Sequence, residues 1–298
     1  MTEHLTGAVR LSDWGVIRAQ GEEAAKFLHS QLTQDFAQLG LNEARLAGFC
    51  TAKGRLLATM IGWKADENTI LLALPLELLP AIQKRLSMFV LRAKCKLSDA
   101  TAEIGLWGAV GGLEATPQWG LVREGDAQQR IRLPDAGAGS RWLIAQGAST
   151  ALDLPVISAQ DWQWGLLESG LPTVLTATAE QFVPQMLNLE LLGGVNFQEG
   201  CYPGQEVVAR SQYRGTLKRR TYLYETTGEA TPGQEIFHSE DPGQPAGLVA
   251  NVAQRGGQSL VLAETKIAAL ASGSLHLGAA DGPLLTPREL PYPLTSAD

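Results

Sequence analysis

Short apolar runs separated by turn signals, with helix-spaced segments set singly among them, limit this chain's fold more than any other feature. Positions 9–11 and 15–18 read as two short strands around Ser12-Asp13. In 22–32, Ala24, Phe27, Leu28 and Leu32 fall at helical spacing, which predicts an amphipathic helix. Runs at 44–51 and 55–63, hinged by Ala52-Lys53-Gly54, predict a hairpin, with a third strand at 69–74. Leu79, Ile82, Leu86 and Phe89 predict a second helix within 76–90, and 94–97 and 103–107 return to strand. A Gly111-Gly112 turn, a looser stretch at 134–140, a strand at 141–145 and a short helix at 159–169 follow. Lone helices among strands in this order indicate an α+β architecture, not a doubly wound parallel sheet.

From about Gly215 the texture changes. Runs at 221–224, 235–237, 247–252 and 259–263 are short and punctuated by Gly or Pro, the pattern of a small all-β barrel. The expected division is an α+β region over 1–214, with an internal break near 100–115, and a C-terminal β-barrel domain over 215–298. The segment Pro291-Tyr292-Pro293 is expected to lie extended over that last domain.

At 298 residues the chain is long enough for two or three packing units. Its three cysteines, Cys50, Cys95 and Cys201, include no CxxC, and the histidines at 4, 29, 238 and 276 are scattered, so neither a disulfide framework nor a metal site is indicated. Cys50 and Cys95 fall in apolar strands and read as core. With 24 basic and 31 acidic residues the net charge is −7, which opposes direct nucleic-acid binding. The most apolar stretch, 70–82, is broken by Pro75, Glu77 and Pro80, and Met1-Thr2-Glu3-His4 carries no basic-then-apolar signal. A cytoplasmic protein with no membrane span is therefore expected.

One stretch, 188–206, is dense in glycine and polar side chains and precedes the helix-like Val207-Val208-Ala209-Arg210. Cys201 lies there between Gly200 and Gly204, where the backbone N–H groups of a helix start favour a thiolate. Two readings stay open: a functional thiol, or a small buried hydrophobe.

Gly200-Cys201-Tyr202-Pro203-Gly204-Gln205-Glu206 resembles the K-G-C-Y-x-G-Q-E signature of YgfZ-type folate-binding proteins, which are relatives of the glycine-cleavage T-protein. Pro184-Gln185, Asn188-Leu189, Val208-Ala209-Arg210, Arg214-Gly215, Asp13-Trp14, Ala52-Lys53-Gly54 and Glu168-Ser169-Gly170-Leu171-Pro172 match as well. The resemblance is weakest from about 100 to 155 and at the C-terminus. One departure is Glu199, which stands where the family has lysine and places an anion beside the thiol.

The resemblance implies a T-protein-like folate-binding body with a central hole, followed by a β-barrel. It implies tetrahydrofolate as ligand, and a role in maintaining iron–sulfur enzymes and thereby in tRNA modification, with those enzymes or their assembly factors as partners. Family folate contacts map onto Trp14 and Trp162, and Glu168 matches the glutamate that holds the pterin edge. Without the resemblance, core packing is the favoured reading of both tryptophans. The T-protein carries an Asp pair shortly after the glycine of its first hairpin; here 55–61 holds no carboxylate, and Leu57 and Ala58 occupy the corresponding places.

Arg210, Arg214, Lys218, Arg219 and Arg220 form a run of cations without an acid. Arg210 and Arg214 are candidates for the glutamate tail of folate, RNA or a protein partner, whereas 218–220 read as a solvated junction. The alternatives to an accessory folate-binding protein are a one-carbon transferase or demethylase with a diverged site, and a direct tRNA-binding module.

Overall fold

The computed structural model describes residues 6–112, 116–125, 128–137, 139–198, 201–213 and 217–294. The body begins with β1 (Gly7–Arg10), β2 (Trp14–Gln20), α1 (Ala24–His29), β3 (Ala44–Cys50), β4 (Leu56–Asp66), β5 (Thr69–Pro75) and α2 (Leu79–Val90). It continues with β6 (Lys96–Asp99), β7 (Ile104–Val110), β8 (Leu121–Glu124), β9 (Gln128–Ala136), β10 (Gly139–Gly147) and α3 (Ala159–Glu168), and α4 (Gln205–Tyr213) follows. These strands form two antiparallel five-stranded sheets, ordered β1-β7-β10-β9-β8 and β3-β4-β5-β2-β6. The α+β expectation holds.

The remaining strands are β11 (Arg219–Thr226), β12 (Glu235–His238), β13 (Asp241–Arg255), β14 (Gln258–Lys266), β15 (Leu275–Leu277) and β16 (Leu284–Arg288). They close into a barrel in the order β11-β14-β13-β12-β15-β16. Closure removes the free edges that strands this short would otherwise expose.

Several sequence expectations shift. The first helix is shorter than 22–32 because Ser30 turns its hydroxyl back onto the Phe27 carbonyl at 2.7 Å and ends it. Cys95 precedes β6 in a turn, its N–H donating to the Ala93 carbonyl at 2.8 Å, so it is half-buried and not in a strand. The loose stretch at 134–140 is mostly strand: β9 and β10 pair across it with a register shift between Gly139 and Arg141. The tail also departs from expectation. The Tyr292 hydroxyl donates to the Gly170 carbonyl at 2.9 Å and its ring packs against the body's core, so the tail straps the body. Burial there pushes the Tyr292 hydroxyl up to about 12.

The barrel is seated on the body by buried polar bonds. A bulge between Val249 and Asn251 in β13 turns the Asn251 side chain toward the segment after α3. There its Oδ1 accepts from Thr173 N–H at 2.9 Å and its Nδ2 donates to the Thr173 carbonyl at 2.8 Å, so one side chain reproduces a strand-pairing step. Arg220 at the start of β11 is 4% exposed and pairs with the equally buried Glu190. Asn188 completes the contact, its Nδ2 donating to the Thr221 carbonyl at 2.8 Å. Within the barrel, Arg219 Nη1 donates to both carboxylate oxygens of Glu264, at 2.8 and 2.6 Å. The expectation of a solvated junction at 218–220 is therefore corrected for both arginines: Arg220 is buried against the body and meets Glu190 there, whereas Arg219 pairs inside the barrel with the buried Glu264 of β14.

Removing one partner from a buried ion pair strands the other charge, at a cost of roughly 3–5 kcal/mol. Glu190→Ala is therefore expected to lower unfolding stability by about that amount in a denaturant titration, with Glu190→Gln milder because an amide oxygen still accepts from Arg220. A loss under about 1 kcal/mol for Glu190→Ala would show that Arg220 finds water or another acceptor.

Candidate ligand cleft and signature thiol

A cleft of about 580 Å³ opens where the body meets the barrel. This lies within the ~300–1,000 Å³ usual for small-molecule sites. The β1–β2 turn contributes Asp13 and Trp14, and the chain leading into α2 contributes Pro75, Leu76 and Glu77. Helix α3 adds Gln163, Leu166 and Leu167, the following segment Thr173 and Leu175, and β13 of the barrel Asn251 and Val252. Body and barrel both contribute, with Asn251 and Val252 coming from β13, so docking of the barrel completes the cleft wall.

Most of the polar groups in the cleft are already engaged. Asn251 is held twice by the Thr173 backbone. Glu77 accepts from Thr176 N–H at 2.7 Å through Oε1. Asp13 has only a long contact, 3.5 Å from Gln163 Nε2. The cleft thus offers a half-buried indole face at Trp14, an adjacent carboxylate with open acceptor capacity, and an aliphatic floor. A flat heteroaromatic ring with N–H donors on one edge fits that donor set.

The other two expected contacts stand differently. Trp162 is 2% exposed, with Arg141 Cζ 4.1 Å above its ring centre and Gly108 of β7 beneath it, where a Cβ would lie 2.3 Å from the indole. It is absent from the cleft wall, although it sits one helical turn before Leu166, which is on that wall. Its buried Nε1 has no hydrogen-bond partner among the described residues. Glu168 also lies off the wall, accepting from Trp164 Nε1 at 3.0 Å and standing 3.7 Å from Arg288. Of the three sequence candidates only Trp14 lines the cleft.

The described signature residues gather elsewhere. Tyr202 is 5% exposed, and its hydroxyl, without a hydrogen-bond partner among the described residues, is pushed far up by burial and by the Cys50 thiol. Gly204 has φ +83° and packs on the β3–β4 turn, where a Cβ would meet the Thr51 carbonyl oxygen at 2.4 Å and Gly54 N at 2.6 Å. Only glycine combines that dihedral with that approach. Gln205 and Glu206 begin α4, and Arg210 reaches back to Glu206 at 2.6 Å on its exposed surface. Cys201 is exposed, which removes the buried-hydrophobe alternative. Gly200, Glu199 and Arg214 lie outside the described residues.

Asp13 and Asn251 did not stand out as site residues in the sequence. Asp13 read as a turn residue, and a turn explains it locally. Asn251 had a usable signal: it is the polar residue inside the apolar run 247–252. Leu57 and Ala58, which stand where the T-protein carboxylates would be expected, are buried in β4 at 8% and 0% exposure.

The three thiols should separate in a labelling experiment with an aromatic disulfide reagent. Cys201 is expected to react within the first phase. Cys95, half-buried and pushed up to about 11 by burial, should follow slowly. Cys50, buried and pushed up to about 12, should label only after denaturation. Cys201→Ser must abolish the fast phase; persistence of that phase would mean the wrong thiol is exposed.

No family model matches the chain. It is 31% identical over 258 residues to the tRNA-modifying protein YgfZ of Edwardsiella ictaluri, covering 77% of this chain and 74% of that one. It is 31% identical to the YgfZ of Hamiltonella defensa over 74% of this chain and 70% of that one, and 28% identical to the Klebsiella pneumoniae protein over 74% and 72%. In structure it is similar to the glycine cleavage system aminomethyltransferase T of Bartonella henselae, with a TM-score of 0.76 over 97% of this chain and 86% of that one, at 15% identity. That likeness is one of fold, and with sequence identity at this level over most of the length it leaves one assignment: the chain belongs to the YgfZ family of tRNA-modifying proteins, built on the T-protein fold.

Proposed function

We propose that this protein binds a tetrahydrofolate in the cleft between body and barrel and serves tRNA modification as an accessory protein. The tRNA role follows from the names its relatives carry. The ligand rests on one observation: Trp14 and the Asp13 carboxylate, met only by Gln163 at 3.5 Å, stand side by side on the wall of a cleft of suitable size. The pterin ring lies against the Trp14 indole, and Asp13 accepts from its amino and ring N–H groups. Gln163 orients Asp13 from α3.

Trp162, buried off the cleft wall against Arg141, makes no direct contact in this reading and stands one helical turn from Leu166, which does line the cleft. Glu168 is tied to Trp164, so meeting the pterin edge would cost it that bond; Asp13 takes the role without such a loss. Arg210, neutralised by Glu206, is a weak anchor for a glutamate tail.

The segment 55–61 holds no carboxylate, and Leu57 and Ala58 can neither orient an amine nor accept a proton, which favours binding over aminomethyl transfer. In the same reading the exposed Cys201 thiol serves iron–sulfur proteins or their assembly factors, through which the tRNA effect runs.

Titration with tetrahydrofolate is expected to quench tryptophan emission, and Trp14→Ala to remove most of the quenching. Asp13→Asn should weaken binding by about tenfold or more, the scale of a lost charge-assisted hydrogen bond. Absence of any saturable quenching in the wild type would overturn the folate reading. Wild-type affinity in Asp13→Asn would overturn only the role of that carboxylate.

A further inference from the structure

The last turn of α2 and the chain just after it form a surface that folate binding does not use. Leu79, Ile82 and Leu86 turn the inner face of α2 into the core. On the outer side Met88, Phe89 and Leu91 are 60%, 43% and 87% exposed. Leu91 sits at φ +46°, a conformation uncommon for a bulky side chain, where the chain leaves the helix.

Cations flank these three side chains along the chain. From 78 to 98 the chain carries Lys84, Arg85, Arg92, Lys94 and Lys96 and no acid, in a protein whose net charge is −7. Lys94 is paired with Glu22 at 2.9 Å; the other four make no ion pair among the described residues. An apolar centre with a charged rim is the anatomy of a protein-binding patch, and Met, Phe and Arg are the residue types enriched in one.

We propose that this end of α2 docks an acidic protein, with Leu91 and Phe89 entering an apolar depression and the four unpaired cations meeting carboxylates around it. Charge complementarity fixes the sign of the partner. An RNA offers no apolar depression for Leu91 and Met88, and its long polyanion would meet the rest of an acidic chain. A lipid surface is disfavoured by size, since interfacial binding scales with the apolar area buried and three side chains at one helix end supply little of it. Helix α2 starts beside the cleft-lining Glu77 and runs 12 residues, which places the patch roughly 16–18 Å from the cleft. A partner bound there leaves the cleft open.

The proposal goes beyond folate binding and stands without it. The test is photo-crosslinking in cells with p-benzoylphenylalanine in place of Phe89 in the full chain, followed by identification and purification of the captured protein. That protein is then titrated against wild type, Leu91→Asp, and the double variant Arg92→Glu with Lys96→Glu. The expected result is an acidic protein whose affinity falls by about tenfold or more in Leu91→Asp, and whose association rate falls with the double variant and with added salt. Adducts only with RNA or lipid, no adduct, or a partner whose affinity is unchanged by both variants would overturn the proposal. Far-UV circular dichroism and tetrahydrofolate quenching of the same variants separate loss of docking from loss of fold.

Discussion

The shape of the cleft depends on how the barrel is held to the body. The hold is polar and buried: Asn251 bonds twice to the Thr173 backbone, and Arg220 is neutralised by Glu190 against Asn188. A purely apolar contact of the same area would tolerate sliding, since dispersion and hydrophobic burial are non-directional. Paired hydrogen bonds to one residue's N–H and carbonyl fix position and angle together. Asn251 and Thr173 also line the cleft, so the bonds that set the domain orientation set the shape of the ligand site as well.

Much of the architecture was legible because it is local. The helix at 159–169 begins where Ser158 accepts from Asp161 N–H at 3.0 Å, and its apolar positions repeat at helical spacing. The hairpin at 44–63 turns on Gly54 at φ +71°, a position that glycine marks openly. Four of the six barrel strands showed in their spacing, whereas β15 and β16 did not. The strands at 121–136 did not, because Gln128, Gln129, Arg130 and Arg132 make β9 read as a polar loop; its burial comes from β10, whose partnership no local pattern announces.

The site was legible only in part, and for the same reason. Trp14 lines the cleft, whereas Trp162 and Glu168 share a helix with cleft residues and face other partners: Trp162 lies under Arg141, and Glu168 bonds Trp164. A sequence shows that residues lie on one helix and leaves open which helical face meets the ligand, since that depends on the sheet packed behind it. The cation run at 210–220 fails likewise. Arg219 and Arg220 find Glu264 and Glu190, 45 and 30 positions away in the chain.

The cleft and the exposed thiol are separate in space, yet one strand touches both. At the start of β4, Gly54 packs against Gly204 of the signature, three residues after Cys201. Five residues on from Gly54, the Thr59 hydroxyl accepts from Val174 N–H at 3.0 Å, between the cleft-lining Thr173 and Leu175. Buried Thr59 and the glycine contact leave little room for β4 to move at one end without moving at the other, because close-packed interiors transmit displacement. The connection lies in the strand that carries Leu57 and Ala58 where the resemblance would place a carboxylate.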